Sequence, residues 1–502
     1  MQIALILFLS FCLSAAFVAC LIPIGNQFGL IDVPSAHRAH QHATPLVGGI
    51  AMYCAIVASS GLLHGIYGFG FSDGLLFACG LLVLMGALDD RHHLNVKIRL
   101  VVQMSAALLV IHFDGAVIRS LGPLFNDYPL DLGIFSVPFT VFSMVGAVNA
   151  MNMMDGLDGL AGMMALAVFL LMAVVAALAG LTQLLLLLFC LVGVTAGFLV
   201  YNFRFDSNKS ASVFMGDAGS TLLGFLIAVL LVDLSHNSAD YFHPVTALWL
   251  FALPLYDTLG VMARRMWLQR SPFKADRNHL HHILLDAGLR VRDVVLILFA
   301  LQVGFGLVGL AGLRGGTSDA FMFYLLLMGW FLYLYIFISP WRLVPNLQKL
   351  HDHISSSRRH SRRVFIGNLP KNQTAALAMV CELLGDYIAS TFHLFIKTDR
   401  TGKTVCCYCV VRVQSDCEAL LSYLQDRNTG TLAIHEYQRR QGTKWLPFLK
   451  RNLSGLIHGH GQGRASRQTK TYLIYSSIRD FAHTEQDAWS QRYPVHKKLP
   501  AI

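Results

Sequence analysis

Asp89 and Asp90 stand side by side at the end of an apolar run, in the string GALDDR at 86–91. Adjacent carboxylates repel each other unless a cation or an arginine compensates. Arg91 and Arg99 are near in sequence, and Gln103 follows one turn after Arg99. A second string, NAMNMMDGLDGL at 149–160, carries Asn149, Asn152, Asp155 and Asp158 with no Lys or Arg among them. On a helix Asp155 and Asp158 would share a face, as would Asn152 and Asp155. Hard cations such as Mg2+ prefer oxygen ligands of this kind, and the two glycines permit close approach of backbone to a ligand.

A third string, VFMGDAGS at 213–220, follows Asn202 and sets Asp217 between two glycines at an expected helix start. A helix N-terminus favours negative charge. Asp217 is therefore read in two ways, as a helix cap or as a ligand where a metal-held phosphate would be welcome. Two loops supply cations. His37, Arg38 and His40 lie in DVPSAHRAH at 32–40, and Arg277, His279, His281 and His282 lie in SPFKADRNHLHH at 271–282. Arginine forks suit phosphate oxygens. Three histidines in four positions raise a zinc reading, but no thiolate motif accompanies them, and adjacent His281 and His282 fit one tetrahedral site poorly. Donors to a diphosphate or a sugar are the better reading.

The elements that must position these residues are membrane helices. The chain is 55% hydrophobic and 14% charged, against about 25% charged in soluble domains. Apolar segments at roughly 2–24, 45–65, 73–88, 99–113, 133–149, 159–179, 181–200, 219–234, 245–264, 293–313 and 320–340 predict about eleven spans. The first lacks a basic leader and a small-residue cleavage site, and is read as a retained helix. Ten cysteines are scattered, with Cys406, Cys407 and Cys409 crowded into one short run and no second pair to complete a metal knuckle, and they read as free thiols. Basic residues concentrate in alternate loops: thirteen in one set, and only Arg119 and Arg314 in the other. Cytoplasmic loops carry that excess. The N-terminus is expected outside, with the acid- and histidine-bearing loops and the tail in the cytoplasm. A transporter would also carry intramembrane carboxylates, but it would need them near the midplane. Most of these acids sit at helix ends, with Asp257 the exception.

Residues 1–345 and 346–502 are expected as separate domains. Up to residue 340 the chain holds 15 basic and 18 acidic residues, all of the latter Asp; the remainder holds 24 basic against 11 acidic, a net of +13. In the tail, strand-like runs at 364–369, 391–398, 404–413 and 431–437 alternate with helical stretches at 372–389 and 415–426. The order βαββαβ predicts a small α+β ferredoxin-like domain. Val364–Leu369 is similar to the first RNA-contact motif of an RNA-recognition module, but 403–410 offers Tyr408 as its only aromatic. Nucleic acid is therefore not expected as a partner. Protein interaction, or a basic surface held to anionic lipid, is.

Taken jointly, DVPSAHRAH, PLVGG, GALDD, NAMNMMDGLDGLAG, VFMGDAGS and SPFKADRNHLHH resemble the motifs of the polyprenyl-phosphate N-acetylhexosamine-1-phosphate transferases, in order and spacing, over about residues 1–340. Within that family the resemblance is to bacterial enzymes acting on undecaprenyl phosphate. The family commonly has Arg-Lys where this chain has His37-Arg38. The resemblance implies an all-α polytopic bundle in the bacterial inner membrane. It also implies transfer of a sugar 1-phosphate, GlcNAc by default or another N-acetyl amino sugar, from a UDP-N-acetylhexosamine to undecaprenyl phosphate. UMP leaves, and the reaction opens O-antigen or other cell-surface polysaccharide synthesis. It implies Mg2+, with Mn2+ as a substitute, and Asp217 and Asp155 as metal ligands. Asp89 and Asp90 match residues proposed to act on the lipid phosphate. Asn149, Asn152, Asp155 and Asp158 match the uridine-diphosphate and metal region, and the histidines the diphosphate or sugar. Membrane lipid is the surrounding partner, and a homodimer is compatible with the chain.

Overall fold

The computed structural model describes residues 2–32, 43–125, 128–205, 210–237, 242–267, 269, 279–286 and 289–338, and in the tail the strands between 362 and 473. Its helices are α1 (Gln2–Phe28), α2 (Gly48–Tyr67), α3 (Asp73–His92), α4 (Val96–Asp114), α5 (Ser136–Met154), α6 (Leu160–Leu178), α7 (Thr182–Asn202), α8 (Gly216–Asn237), α9 (Pro244–Leu250), α10 (Ala252–Trp267), α11 (Leu280–Asp286), α12 (Val291–Arg314) and α13 (Asp319–Ile338). Every apolar segment expected to span holds a helix. Among the described residues eight are long and apolar enough to cross a membrane, or nine if α9 and α10 count as one bent span. α3, which ends on Asp89, Asp90 and Arg91, and α13 fall outside that set. The helices form a polytopic membrane bundle.

Local chemistry sets the helix ends. Ser72 Oγ accepts from Leu75 N at 3.1 Å to start α3, and Asn95 Oδ1 accepts from Lys97 N at 3.0 Å to start α4. The segment expected as one helix at 245–264 is broken at Phe251, and its halves bend by 81°. Pro254 cannot donate to the preceding turn. Gln302 of α12, fully buried, bridges the break: its Nε2 donates to Leu250 O at 2.6 Å and its Oε1 accepts from Leu253 N at 3.0 Å. A side chain from a neighbouring helix thus satisfies the backbone groups freed by the break.

α8 lies at the centre of the helices, buried almost throughout by α2, α3, α5 and α6, whereas α1 is largely exposed. Glycine makes this packing close. A Cβ at Gly49 of α2 would lie 2.1 Å from Gly219 N, and one at Gly86 of α3 would lie 2.4 Å from Ala218 Cα. The first turn of α8 is therefore pressed directly against two other helices. Short strands β1 (Ile31–Asp32) and β2 (Thr44–Pro45) pair antiparallel beside it, and Gly48 N and Gly49 N donate to Phe214 O and Met215 O.

Beyond Ser339 lies a second compact unit. It contains β3 (Arg362–Leu369), β4 (Thr391–Thr398), β5 (Val405–Val411), β6 (Ala433–Tyr437) and β7 (Thr471–Leu473), an antiparallel sheet in the order β6-β3-β5-β4-β7. The strand-like runs read from the sequence are strands. β7 lies beyond the last strand-like run read from the sequence. The helical stretches expected at 372–389 and 415–426 lie outside the described residues.

Candidate functional site

The ends of α3 and α5, the starts of α4 and α8, and Asp257 within α10 carry the chemistry. Asp90, on the last turn of α3, accepts from Asp217 N at 2.9 Å and Ala218 N at 3.4 Å. It caps α8 from another helix, where the partial positive charge of the N-terminus offsets the carboxylate. Gly216, at φ +69°, leaves the space: a Cβ there would lie 2.4 Å from Asp90 Oδ2. Asp89, 4% exposed, turns elsewhere. Its Oδ1 accepts from Leu94 N at 2.6 Å and its Oδ2 from Arg99 Nη1 at 2.8 Å. The two neighbours are engaged by separate means, a helix end for one and a guanidinium for the other, yet burial and the charges of Asp217 and Asp89 still push the Asp90 pKa up to about 7.

Arg99, on the first turn of α4, also lies 3.8 Å from Asp217 Oδ2. Asp217 Oδ1 accepts from Asn152 Nδ2 at 2.6 Å, and Asn152 also donates to Ser220 Oγ at 3.0 Å. Asn149 donates to Gln103 Oε1 at 2.9 Å, tying α5 to α4. The cap and ligand readings of Asp217 separate here: its backbone N–H is capped by Asp90, and its side chain faces Asn152, Arg99 and the Asp89 carboxylate; burial and that neighbouring carboxylate hold its pKa above the ordinary value.

Asp155 and Asp158 do not share a helical face as expected. α5 ends at Met154, and the backbone turns through Gly156 and Gly159, the latter at φ +83°. Asp158 accepts from Arg204 Nε at 2.7 Å and Ala211 N at 3.1 Å. Asn202, buried, accepts from Gly159 N and donates to Val213 O, both at 2.8 Å. Both side chains are engaged in pinning the loop rather than presented to a ligand. Asp155 is different. No side-chain hydrogen bond reaches it among the described residues, and burial, with Asp217, Asp90 and Asp158 repelling its charge, holds its pKa well above the ordinary carboxylate value.

His279 immediately precedes α11, and His281 and His282 lie in its first turn. Asp257 of α10, 1% exposed, takes His279 Nδ1 at 2.7 Å on one oxygen and Leu280 N at 2.9 Å and Tyr333 Oη–H at 2.7 Å on the other. His281 stacks on His279 with ring centroids 5.5 Å apart and meets His282 at 4.3 Å. His281 is 1% exposed, neither ring nitrogen has a hydrogen-bond partner among the described residues, and a Cβ at Gly156 would lie 2.4 Å from its Nε2. Burial, with His282 adding to it, pushes its pKa down to about 3, so it is a neutral imidazole. The histidine segment is therefore seated directly on the Asp155–Asp158 loop.

The structure brings Asp89, Asp90, Arg99, Asn152, Asp155 and Asp217 together, with Asn149 and Gln103 behind them and His281 against the loop. His37, Arg38, His40 and Arg277 lie outside the described residues. Sequence reasoning did not assign Asp257 or Gln103 to the site. The signal for Asp257 was present, since an ionisable residue inside an apolar run needs a partner, but its partner lies 22 residues along the chain.

Among the described residues no three His, Cys or Asp side chains form a ready metal cage. Mg2+ prefers hard oxygen ligands and is often held by only one or two carboxylates. Asp155, without a donor and surrounded by like charge, and Asp217 Oδ2 offer hard oxygens of that kind.

The model of Glycosyl transferase family 4 matches residues 73–235, a stretch that includes every acid of this cluster. The chain is similar to the undecaprenyl-phosphate alpha-N-acetylglucosaminyl 1-phosphate transferase of Escherichia coli (strain K12), 32% identical over 336 residues, 67% of this chain and 91% of the relative. It is similar to the protein of that name in Salmonella typhi, 33% identical over 70% of this chain and 95% of the relative. That of Yersinia pestis is 34% identical over 68% and 92%.

Proposed function

The chain belongs to glycosyl transferase family 4 and is a membrane phosphoglycosyltransferase, and on that premise we propose that it moves N-acetylglucosamine 1-phosphate from UDP-GlcNAc to undecaprenyl phosphate, releasing UMP. The acceptor and sugar follow the names of relatives that the chain matches over nine tenths of their length. The observation that carries the reading is the meeting of Asp155, Asp217 and Arg99 at the first turn of α8. A helix start, a cation and two available carboxylates there suit two phosphorylated reactants and one Mg2+.

Each residue then has a task. Asp90 fixes the start of α8, and Asp89 fixes Arg99, which is left to attract a phosphate. Asn152 orients Asp217. Asp155 and Asp217 would hold Mg2+, with Mn2+ as a substitute; that ion, when bound, neutralises the phosphates. The resemblance assigns His279, His281 and His282 to the diphosphate or sugar; with His279 and His281 buried, those two serve that end by seating their segment on the Asp155–Asp158 loop. Both oxygens of Asp89 and of Asp90 are already engaged. This favours direct in-line attack by the lipid phosphate, which with a second pKa near 6 is mostly dianionic at neutral pH, over an acyl-phosphate on either residue.

The excess of Lys and Arg in alternate loops supports the bacterial inner membrane, N-terminus outside and site within. The order β6-β3-β5-β4 supports a ferredoxin-like tail domain. The placing of this reaction at the head of O-antigen or other surface-polysaccharide assembly rests on the lipid acceptor.

The test is UMP release from a panel of UDP-sugars by the purified chain with undecaprenyl phosphate and Mg2+. Release with UDP-GlcNAc, dependent on the lipid and abolished in Asp217→Asn at unchanged expression, is expected. No release from any UDP-sugar refutes the proposal. Labelled enzyme trapped before lipid is added would refute direct attack.

A further inference from the structure

The tail sheet sorts its residues into two unlike faces. Residues alternate between faces along a strand, and directly opposed residues share one. The register opposes Phe365 to Tyr408 and to His435, and Tyr408 to Phe395. One row across four adjacent strands therefore reads His435, Phe365, Tyr408, Phe395. In flanking rows of the same face Arg363 is opposed to Tyr437, and Lys397 to Cys406. None of the strand residues on this face is acidic. The other face carries Val364, Ile366, Leu394, Ile396, Cys407 and Ile434, with Glu436 and Tyr472 on its two edge strands, a largely apolar composition suited to packing on a core.

We infer that the face bearing Phe365, Tyr408 and Phe395 binds single-stranded nucleic acid. Ring residues at adjacent strand positions supply what unpaired bases stack on, and sequence-tolerant stacking on a sheet with phosphates met by basic residues is a general mode of such binding. Arg363 and Lys397 stand in the rows beside the rings, and the tail's net charge of +13 favours a polyanion. An anionic lipid surface needs basic residues but not a transverse row of rings. The expectation that nucleic acid is not a partner rested on the poor second motif at 403–410, where Tyr408 is the only aromatic. The register completes the row from two other strands.

The experiment uses the full chain in nanodiscs of zwitterionic phospholipid and follows the fluorescence anisotropy of labelled oligouridylate and oligothymidylate of about twelve nucleotides. Saturable binding of at least one, weakened by salt, is expected. Phe365→Leu and Tyr408→Leu should each weaken it about tenfold, while Phe365→Tyr, which keeps a ring, retains it. Binding of neither oligonucleotide overturns the inference, as does undiminished binding in both leucine variants. Salt-sensitive capture by phosphatidylglycerol vesicles without oligonucleotide binding overturns it in favour of a lipid surface.

Discussion

Asp257→Asn should impair turnover although residue 257 is expected to touch neither reactant. The wild-type carboxylate receives three donors: His279 Nδ1, Leu280 N and Tyr333 Oη–H. An amide of the same size has one oxygen. If that oxygen faces Leu280 and Tyr333, the NH2 meets the Nδ1–H of His279. If it faces His279, the NH2 meets the backbone N–H of Leu280. In either orientation a buried donor loses its acceptor, at about 1–3 kcal/mol, and a charge-assisted bond of about 1.5–3 kcal/mol is gone. His279 can recover only by leaving its place or by changing tautomer. A transition-state loss of 1.5–3 kcal/mol corresponds to a fall in kcat of roughly 10- to 150-fold. Tyr333→Phe removes one donor and leaves the carboxylate with two, at about 1 kcal/mol, so its effect should be severalfold at most. Steady-state UMP release at saturating and limiting UDP-GlcNAc, with thermal unfolding in detergent, separates positioning from collapse of the fold. Asp257→Asn with kcat and KM within twofold of wild type would refute the reasoning.

Two further outcomes are expected. Asp155→Asn should raise the melting temperature at pH 7 in Mg2+-free buffer while cutting turnover. The folded-state pKa of Asp155 lies above its unfolded value, so the folded state holds the extra proton. Stability is then greatest below the ordinary carboxylate pKa and falls as pH rises through the folded value. Melting followed against pH should show that fall in the wild type and a shallower one in the variant; unchanged curves count against the packed-carboxylate picture. Gly86→Ala sets a methyl 2.4 Å from the α8 backbone. It should destabilise the chain by about 1–3 kcal/mol, and an α3–α8 shift on the order of 1 Å would lower activity about 100-fold. A variant with wild-type melting and turnover would show that α3 and α8 are not held together as described.

The apolar runs determined the helical segments because hydropathy is local: each expected span holds a helix. The acids and amides at their ends were legible for a like reason, since carboxylates at the mouths of apolar helices are unfavourable unless something engages them. The strands of the tail were legible from β-branched and aromatic runs, and Asp217 could be placed at a helix start from its two glycines. Which partner engages each group was not local. Asp90 caps a helix whose first residues lie 127 positions later, and Gln302 mends a break in a helix 49 to 52 positions earlier. Asp89 and Asp90 looked equivalent until packing sent one to Arg99 and the other to α8. Asp155 and Asp158 looked like a helical pair until Gly156 and Gly159 turned the chain. The sequence alone determined which groups would need partners; only the tertiary structure decided which partner each received, because hydrogen bonds and close packing act over a few ångströms in space regardless of separation along the chain.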